Sequence, residues 1–394
     1  MGVNTPRELV DKVFGFLRRE SGLIWTSAGN VVSSILGALI WFILASILKV
    51  AEYGEVNYFI ALSFIIAAFG SLGLNITVTT YLAKGEERLV YEANSIVLLS
   101  SVVVAVATIS TFRRMWFLAP TAMAIMFFWM SVAELLGAKK YREYAYVMAG
   151  YRVVQVALMI PLYLKFGLIG IIVGYLIGYL SLSYRFFKSL SRLTRNIRSL
   201  RGKLGFALHS YGLNVVTNLT TFLDKVVIGS VYGFYMLGLY QLGYQFLTFL
   251  STIPVSLFSY LLPEESSGER RREAKIIGFN LALAAAVVTY VIAPWIIVNF
   301  FPNFVEAIGV VRIMCIAVIP AAVVNILNAM FFGRERSAVA FTGGIIYLAS
   351  LITCLLLLGR MFGIVGLASS IIVSQTAQAL YLAGSLRLSE RGGG

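Results

Sequence analysis

The chain has 394 residues, of which 59% are hydrophobic and 13% charged, with a mean hydropathy of +0.86. Those values exclude an ordinary soluble domain and place the chain in a bilayer. The formal net charge of +14 falls mostly in short loops between apolar segments, so it is a topology signal that also suits anionic headgroups, and it gives no reason to expect a nucleic-acid partner.

Residues 1–20 carry Leu9, Val10, Val13, Phe14 and Leu17 at helical spacing among Arg7, Glu8, Asp11, Arg18 and Arg19. That is the pattern of an amphipathic helix lying in the membrane interface ahead of the first span. The apolar stretch that follows is too long for a cleaved signal peptide and lacks a small-x-small cleavage site. A span needs about 20 mostly apolar residues to cross ~30 Å of hydrocarbon. Twelve segments qualify: 22–48, 56–82, 89–111, 116–136, 144–163, 167–187, 205–231, 237–262, 276–300, 307–330, 339–358 and 364–386. The seventh is the most diluted, by Asn214, Asn218, Asp224 and Lys225. Between the sixth and seventh lies a basic stretch, Arg185 to Lys203, with seven Lys or Arg and no acid. It serves either as an orientation anchor and linker or as a docking site for a cytoplasmic partner.

Two marks repeat at half-length. Phe166-Gly167-x-x-Gly170 returns 196 positions later as Phe362-Gly363-x-x-Gly366, and Asn30-Val31-Val32 recurs as Asn214-Val215-Val216 at a spacing of 184. At that second spacing Gly54 maps onto Gly238 and Gly70 onto Pro254. Repeats of this kind predict two similar halves, 1–195 and 196–394, each of six spans and therefore related by an axis along the membrane normal. The expected fold is all-α and polytopic, with twelve transmembrane helices. Of the 32 Lys and Arg, 24 fall on the N-terminal side when loops alternate, 5 on the other side and 3 within spans. The positive-inside rule therefore puts both termini in the cytoplasm of a multi-pass cell-membrane protein; Arg113-Arg114 is the one local violation.

Cys315 and Cys354 lie inside predicted spans as small apolar residues. There is no metal-ligand spacing, one histidine (His209) and no cluster of acids within a span, so neither a cofactor, a metal site nor an enzyme is expected. The chemistry must come from polar groups at membrane depth, each of which costs about 2.5–3.5 kcal/mol at the bilayer centre unless it faces protein or water. Arg152 lies some eight residues into the fifth span, ~12 Å deep at 1.5 Å per residue. It is a cationic ligand for a phosphate or pyrophosphate headgroup, or it pairs with Glu134 or a free carbonyl. Lys225 is the better ligand of the next pair for an anion, with Asp224 and Glu134 as candidates for ion coupling. Neighbours in sequence point ~100° apart on a helix, so Asp224 and Lys225 are not expected to face each other. Arg312 is either a third substrate cation or an interface anchor near Glu306. Asn30, Asn75, Asn214, Asn218 and Asn325 either line a sugar-binding cavity or hydrogen-bond between helices. Most of the 21 tyrosines, including Tyr53, Tyr58, Tyr81 and Tyr232, are expected at the interfaces.

Several fragments resemble one family. They are Ala51-Glu52-Tyr53-Gly54, Phe69-Gly70-Ser71-Leu72-Gly73-Leu74-Asn75, Thr80-Tyr81-Leu82-Ala83-Lys84, Phe222-Leu223-Asp224-Lys225-Val226-Val227-Ile228-Gly229, Leu237-Gly238-Leu239-Tyr240 and the two Phe-Gly-x-x-Gly turns. Together and in order, over about 20–388, they resemble the polysaccharide or O-antigen flippases of the multidrug/oligosaccharidyl-lipid/polysaccharide exporter superfamily. The resemblance implies two six-helix bundles around a central cavity lined by spans one, two, seven and eight. It also implies alternating-access translocation of a polyprenyl-pyrophosphate-linked oligosaccharide from the cytoplasmic to the outer leaflet, with membrane lipids, a proton or sodium ion, and glycan polymerases or transferases as partners. An ion-coupled multidrug exporter of the same fold is the alternative.

Overall fold

The computed structural model describes residues 21–194, 196–266, 272–333 and 336–391; the amphipathic helix expected over residues 1–20 lies outside them. Among the described residues every regular element is helical. In chain order they are α1 (Ser21–Ile47), α2 (Val50–Gly70), α3 (Leu74–Leu82), α4 (Glu87–Thr111), α5 (Leu118–Gly137), α6 (Tyr141–Phe166), α7 (Leu168–Ser181), α8 (Tyr184–Ser189), α9 (Arg198–Arg201), α10 (Leu204–Tyr232), α11 (Phe234–Ser266), α12 (Arg272–Phe300), α13 (Ile308–Gly333) and α14 (Ser337–Arg391).

Eight of these stretches are long and apolar enough to cross a membrane, and a ninth is formed by α7 with the segment from Tyr184, bent by 53°. The run α14 is two helices in one, because Gly363 breaks it with φ 57° and ψ −133°. Helices α10 and α11 complete the twelve expected spans. Both are diluted by polar residues, Asp224 and Lys225 in the first and Gln241 and Gln245 in the second. The expected second span, 56–82, is not continuous. It begins earlier, at Val50, and breaks between Gly70 and Leu74, where Leu72 and Gly73 take φ of 52° and 67°.

The two Phe-Gly-x-x-Gly motifs fold alike. Gly167 has φ 63° and ψ −146°, close to the values at Gly363, in a region open in practice only to glycine. Three residues on, a Cβ on Gly170 would lie 2.0 Å from the Leu162 carbonyl oxygen, and one on Gly366 would lie 1.9 Å from that of Leu358. The first glycine reverses the chain and the second lets the returning helix start against the backbone it has left. Gly167→Ala or Gly363→Ala is therefore expected to destabilise the protein by about 1–3 kcal/mol. Gly205→Ala, where a Cβ meets nothing within 4 Å, serves as the neutral control, and thermal unfolding in detergent compares them.

The helices gather into two compact units, Met1–Ile40 with Ser63–Val215, and Trp41–Leu62 with Val216–Gly394. These cut across the halves 1–195 and 196–394. Helices α1 and α10 span 27 and 29 residues, and the two ends of each pack on different neighbours.

In the first unit α5 is central: 72% of its span is buried, against 28% for α4 and 22% for α6. Its Phe127 stacks on Phe186 at 4.3 Å, and its Ser131 accepts a hydrogen bond from the Phe186 amide at 3.0 Å. Residues 192–194 and 196–203 of the basic stretch lie along the start of α4. The buried Glu92 accepts from the amides of Ser199 and Leu200 at 3.2 and 2.8 Å, capping α9. Arg192 donates to the Tyr91 hydroxyl at 3.0 Å, and Lys203 pairs with Glu86. The stretch thus lies against acids and tyrosines of its own unit. Beside the break in the second span, Asn214 donates to Ser71 Oγ at 2.9 Å and to the Ala68 carbonyl at 3.3 Å.

In the second unit α2 crosses α11 backbone to backbone. A Cβ on Gly54 would lie 1.9 Å from the Phe234 carbonyl oxygen, and one on Gly238 would lie 2.0 Å from that of Val50. Tyr53 is fully buried beside this crossing, edge-on to Trp41 at 5.9 Å and to Phe304 at 5.5 Å. Its ring is enclosed by protein at this end of α2, because the small residue after it brings two helices close together.

Candidate functional site

A polar stripe in the first unit is built by three helices. On α1, Asn30, Ser33 and Gly37 follow at three- and four-residue steps and so share a face. On α6, Tyr144, Tyr151 and Gln155 lie seven and four residues apart and share a face, with Arg152 next to Tyr151 and three residues before Gln155. The Tyr144 hydroxyl donates to Asn30 Oδ1 at 2.6 Å, Ser33 donates to the Tyr151 hydroxyl at 3.1 Å, and Arg152 lies over Gly37, where a Cβ would come within 3.1 Å of its Cζ. From α7, the Tyr175 and Tyr179 hydroxyls lie 3.4 Å apart, and Tyr179 stacks on Tyr151 at 5.1 Å.

Arg152 sits over the Tyr151 ring at 4.8 Å and donates through Nη1 to Gln155 Oε1 at 3.0 Å. Gln155 in turn donates to the Tyr175 carbonyl at 3.2 Å. The Arg152 Nε is buried with no hydrogen-bond partner, and among the described residues no carboxylate pairs with this guanidinium. Glu134, the acid expected as its alternative partner, is held by Arg185 at 3.4 Å, which also grips Glu143 at 2.6 Å. A cation–π contact returns about 1–2 kcal/mol of the roughly 2.5–3.5 kcal/mol that a charge costs at membrane depth.

The second unit handles its charges in the opposite way. Lys225 lies 3.0 and 3.2 Å from the two oxygens of Asp224, donates to the Thr221 carbonyl at 2.7 Å and sits 3.7 Å from the Tyr244 ring centroid. The Tyr240 hydroxyl donates to Asp224 Oδ2 at 2.7 Å. The expectation that these sequence neighbours could not face each other is corrected. The four-carbon lysine stem folds back along α10 towards the carbonyl four residues earlier, and that brings its ammonium across to Asp224. Both residues are buried. Asp224→Asn alone is expected to cost about 3–5 kcal/mol by stranding the lysine, and Asp224→Asn with Lys225→Met should recover most of it. Thermal unfolding of the single and double variants checks this.

The other expected site residues are scattered. Arg312 lies 5.1 Å from the Tyr290 ring centroid, with its Nε buried and unpartnered, and forms no described ion pair with Glu306. Asn325 donates to the carbonyl of Ala321 in its own helix at 2.9 Å. Asn75 is half-buried with an unpartnered Oδ1, Asn218 is half-buried, and Asn214 ties α10 to α2. The tyrosines around Arg152 and Lys225 escaped the sequence reading, although their steps of four and seven along α6, α7 and α11 were visible. No group of three or more His, Cys, Asp or Glu that could hold a metal occurs among the described residues.

These features define a polytopic, all-helical membrane protein. The family model described as "Polysaccharide biosynthesis protein" matches residues 21–267, and the chain belongs to that family. No curated protein matches by sequence. Among solved structures, the fold is similar to that of "Lipid II flippase MurJ, inward closed conformation", at 16% identity over 92% of this chain and 87% of that one, with a TM-score of 0.77. It is also similar to an inward-facing multidrug resistance MATE family transporter of the MOP superfamily, at 17% identity, 94% and 98% coverage and a TM-score of 0.69. An outward-facing transporter of the same description aligns at 16% identity, 94% and 96% coverage and a TM-score of 0.61.

Proposed function

We propose that the protein flips a polyprenyl-(pyro)phosphate-linked oligosaccharide from the cytoplasmic to the outer leaflet by alternating access, supplying cell-surface polysaccharide assembly. The observation that carries this reading is Arg152, a cation at membrane depth held by tyrosine rings and a neutral amide, with no described carboxylate partner. A lipid-linked sugar presents the anionic phosphate such a group lacks, and the hydroxyls around it suit a polar glycan. The family match and the likeness in fold to a protein named as a lipid II flippase support the same class of cargo. The halves 1–195 and 196–394 descend from duplication of a six-helix unit, with both termini cytoplasmic.

Drug export coupled to an ion would call for an available carboxylate at depth. Asp224 and Glu134 are the candidates, but Asp224 is engaged by Lys225 and Tyr240 and Glu134 by Arg185. The test is reconstitution in liposomes with a fluorescent lipid-pyrophosphate oligosaccharide, following its appearance on the opposite leaflet with and without proton or sodium gradients. Protein-dependent translocation supports the flippase and names any coupling ion. Gradient-driven uptake of cationic dyes without lipid translocation would replace it with the exporter.

A further inference from the structure

A second cationic site lies about ten residues before Arg152 on α6, roughly 15 Å nearer its start at 1.5 Å per residue. There the first turn of α1 meets the α5–α6 turn and the beginning of α6 around a cleft of about 510 Å³. Its walls are Trp25, Lys139, Lys140, Tyr141, Arg142 and Tyr146. By the charge count this end of the spans is cytoplasmic, and α1 and α6 both enter the membrane beside the cleft.

Three observations point to a ligand. First, Arg142 is fixed between two rings, 5.7 Å from Trp25 and 5.6 Å from Tyr146, and its Nε donates to the Tyr146 hydroxyl at 3.1 Å. Its terminal nitrogens have no described partner. Second, Glu143, the acid at the cleft, is already held by Arg185 and Tyr184, whereas no described ion pair uses Lys139, Lys140 or Arg142. Three exposed cations therefore converge on the cleft with Glu143 as its one acid, and that acid is already engaged by Arg185. Third, Lys139 has φ 56°. It closes α5 where glycine is favoured, with its amide bonded to the Leu136 carbonyl at 3.0 Å and that of Lys140 to Leu135 at 2.9 Å. A lysine in the left-handed region carries a backbone cost of about 1 kcal/mol or more that glycine would not, so its side chain is there for its charge.

We propose that this cleft is the loading site for the diphosphate of the lipid-linked cargo in the cytoplasmic leaflet, a station on the first unit that precedes Arg152; this rests on the flippase reading. Three cations match a diphosphate better than the single charge of a phosphodiester, and Trp25 and Tyr146, exposed by 36% and 56%, offer ring faces to the first sugar.

The test uses the full chain carrying Arg152→Ala, so that the deeper cation does not contribute. Undecaprenyl diphosphate is titrated and the signal of Trp25 isolated by comparison with Trp25→Phe. Saturable change in Trp25 fluorescence is expected, weakened at least about tenfold by Lys139→Gly, Lys140→Gln and Arg142→Gln together, since charge-assisted contacts to phosphate are among the strong ones. Lys139→Gly alone keeps the turn, and should weaken binding a few-fold without loss of thermal stability. Unchanged affinity in the triple variant overturns the proposal. Equal affinity for phosphatidylglycerol also overturns it, making the cleft a general anionic-lipid surface. Diphosphate binding that maps to the cleft, with no translocation by the wild-type protein in liposomes, would sustain the site and remove the transport reading, and wild-type translocation without cleft binding would do the reverse.

Discussion

Arg152→Ala is expected to lower translocation of a lipid-pyrophosphate oligosaccharide by roughly 10- to 100-fold, as loss of a charge-assisted contact worth about 1.5–3 kcal/mol would do. Insertion and thermal stability should hold or improve, because the substitution removes a charge that no described acid balances. Arg152→Lys should fall between. It keeps the charge but loses the planar fork that spans Gln155 and the Tyr151 ring. Liposome translocation assays alongside thermal unfolding separate the two quantities. Full translocation by Arg152→Ala would remove this residue from the site, and a large loss of stability would make it structural.

The crossing of α2 and α11 should be the least tolerant contact in the second unit. A methyl group at Gly54 would sit 1.9 Å from the Phe234 carbonyl oxygen, a separation no relaxed packing accepts, so the helices must part. Gly54→Ala and Gly238→Ala are each expected to destabilise by about 2–4 kcal/mol through forced overpacking. Because transmembrane helices associate mainly through close packing, the effect should grow with side-chain size, and Gly54→Leu should arrest transport. Thermal unfolding of the graded series checks this. Stability that is flat across Gly, Ala and Leu would mean the contact is absent in the membrane.

Hydropathy made the number and order of spans legible, since crossing the hydrocarbon dictates length and composition almost regardless of fold. It could not place the break at Leu72 and Gly73, because the chain turns there within two residues whose backbone hydrogen bonds stay local, and so brief an irregularity leaves no mark on apolarity. The Phe-Gly-x-x-Gly echo was legible because its glycines are demanded by backbone geometry. Arg152 was legible as a deep cation. Its isolation was not, because that depends on Glu134 turning to Arg185. The pairing of Asp224 with Lys225 was missed for a related reason: helical angles locate Cβ atoms, whereas a lysine ammonium can travel several ångströms from its own. Tyrosine was hardest to assign, since the same amphipathic ring suits an interface, a buried aromatic cluster or a cation's cradle.

The spacing of 184 that maps Gly54 onto Gly238 also maps Val50 onto Phe234. The α2–α11 crossing is therefore reciprocal: the glycine of each helix meets the carbonyl four residues before the glycine of the other. A contact of that form is isologous, the kind that two identical subunits make across a two-fold axis. Reciprocity of this kind is what a pair of like six-helix units meeting about a two-fold axis would display, so this one glycine in each helix does the work of a symmetric seam.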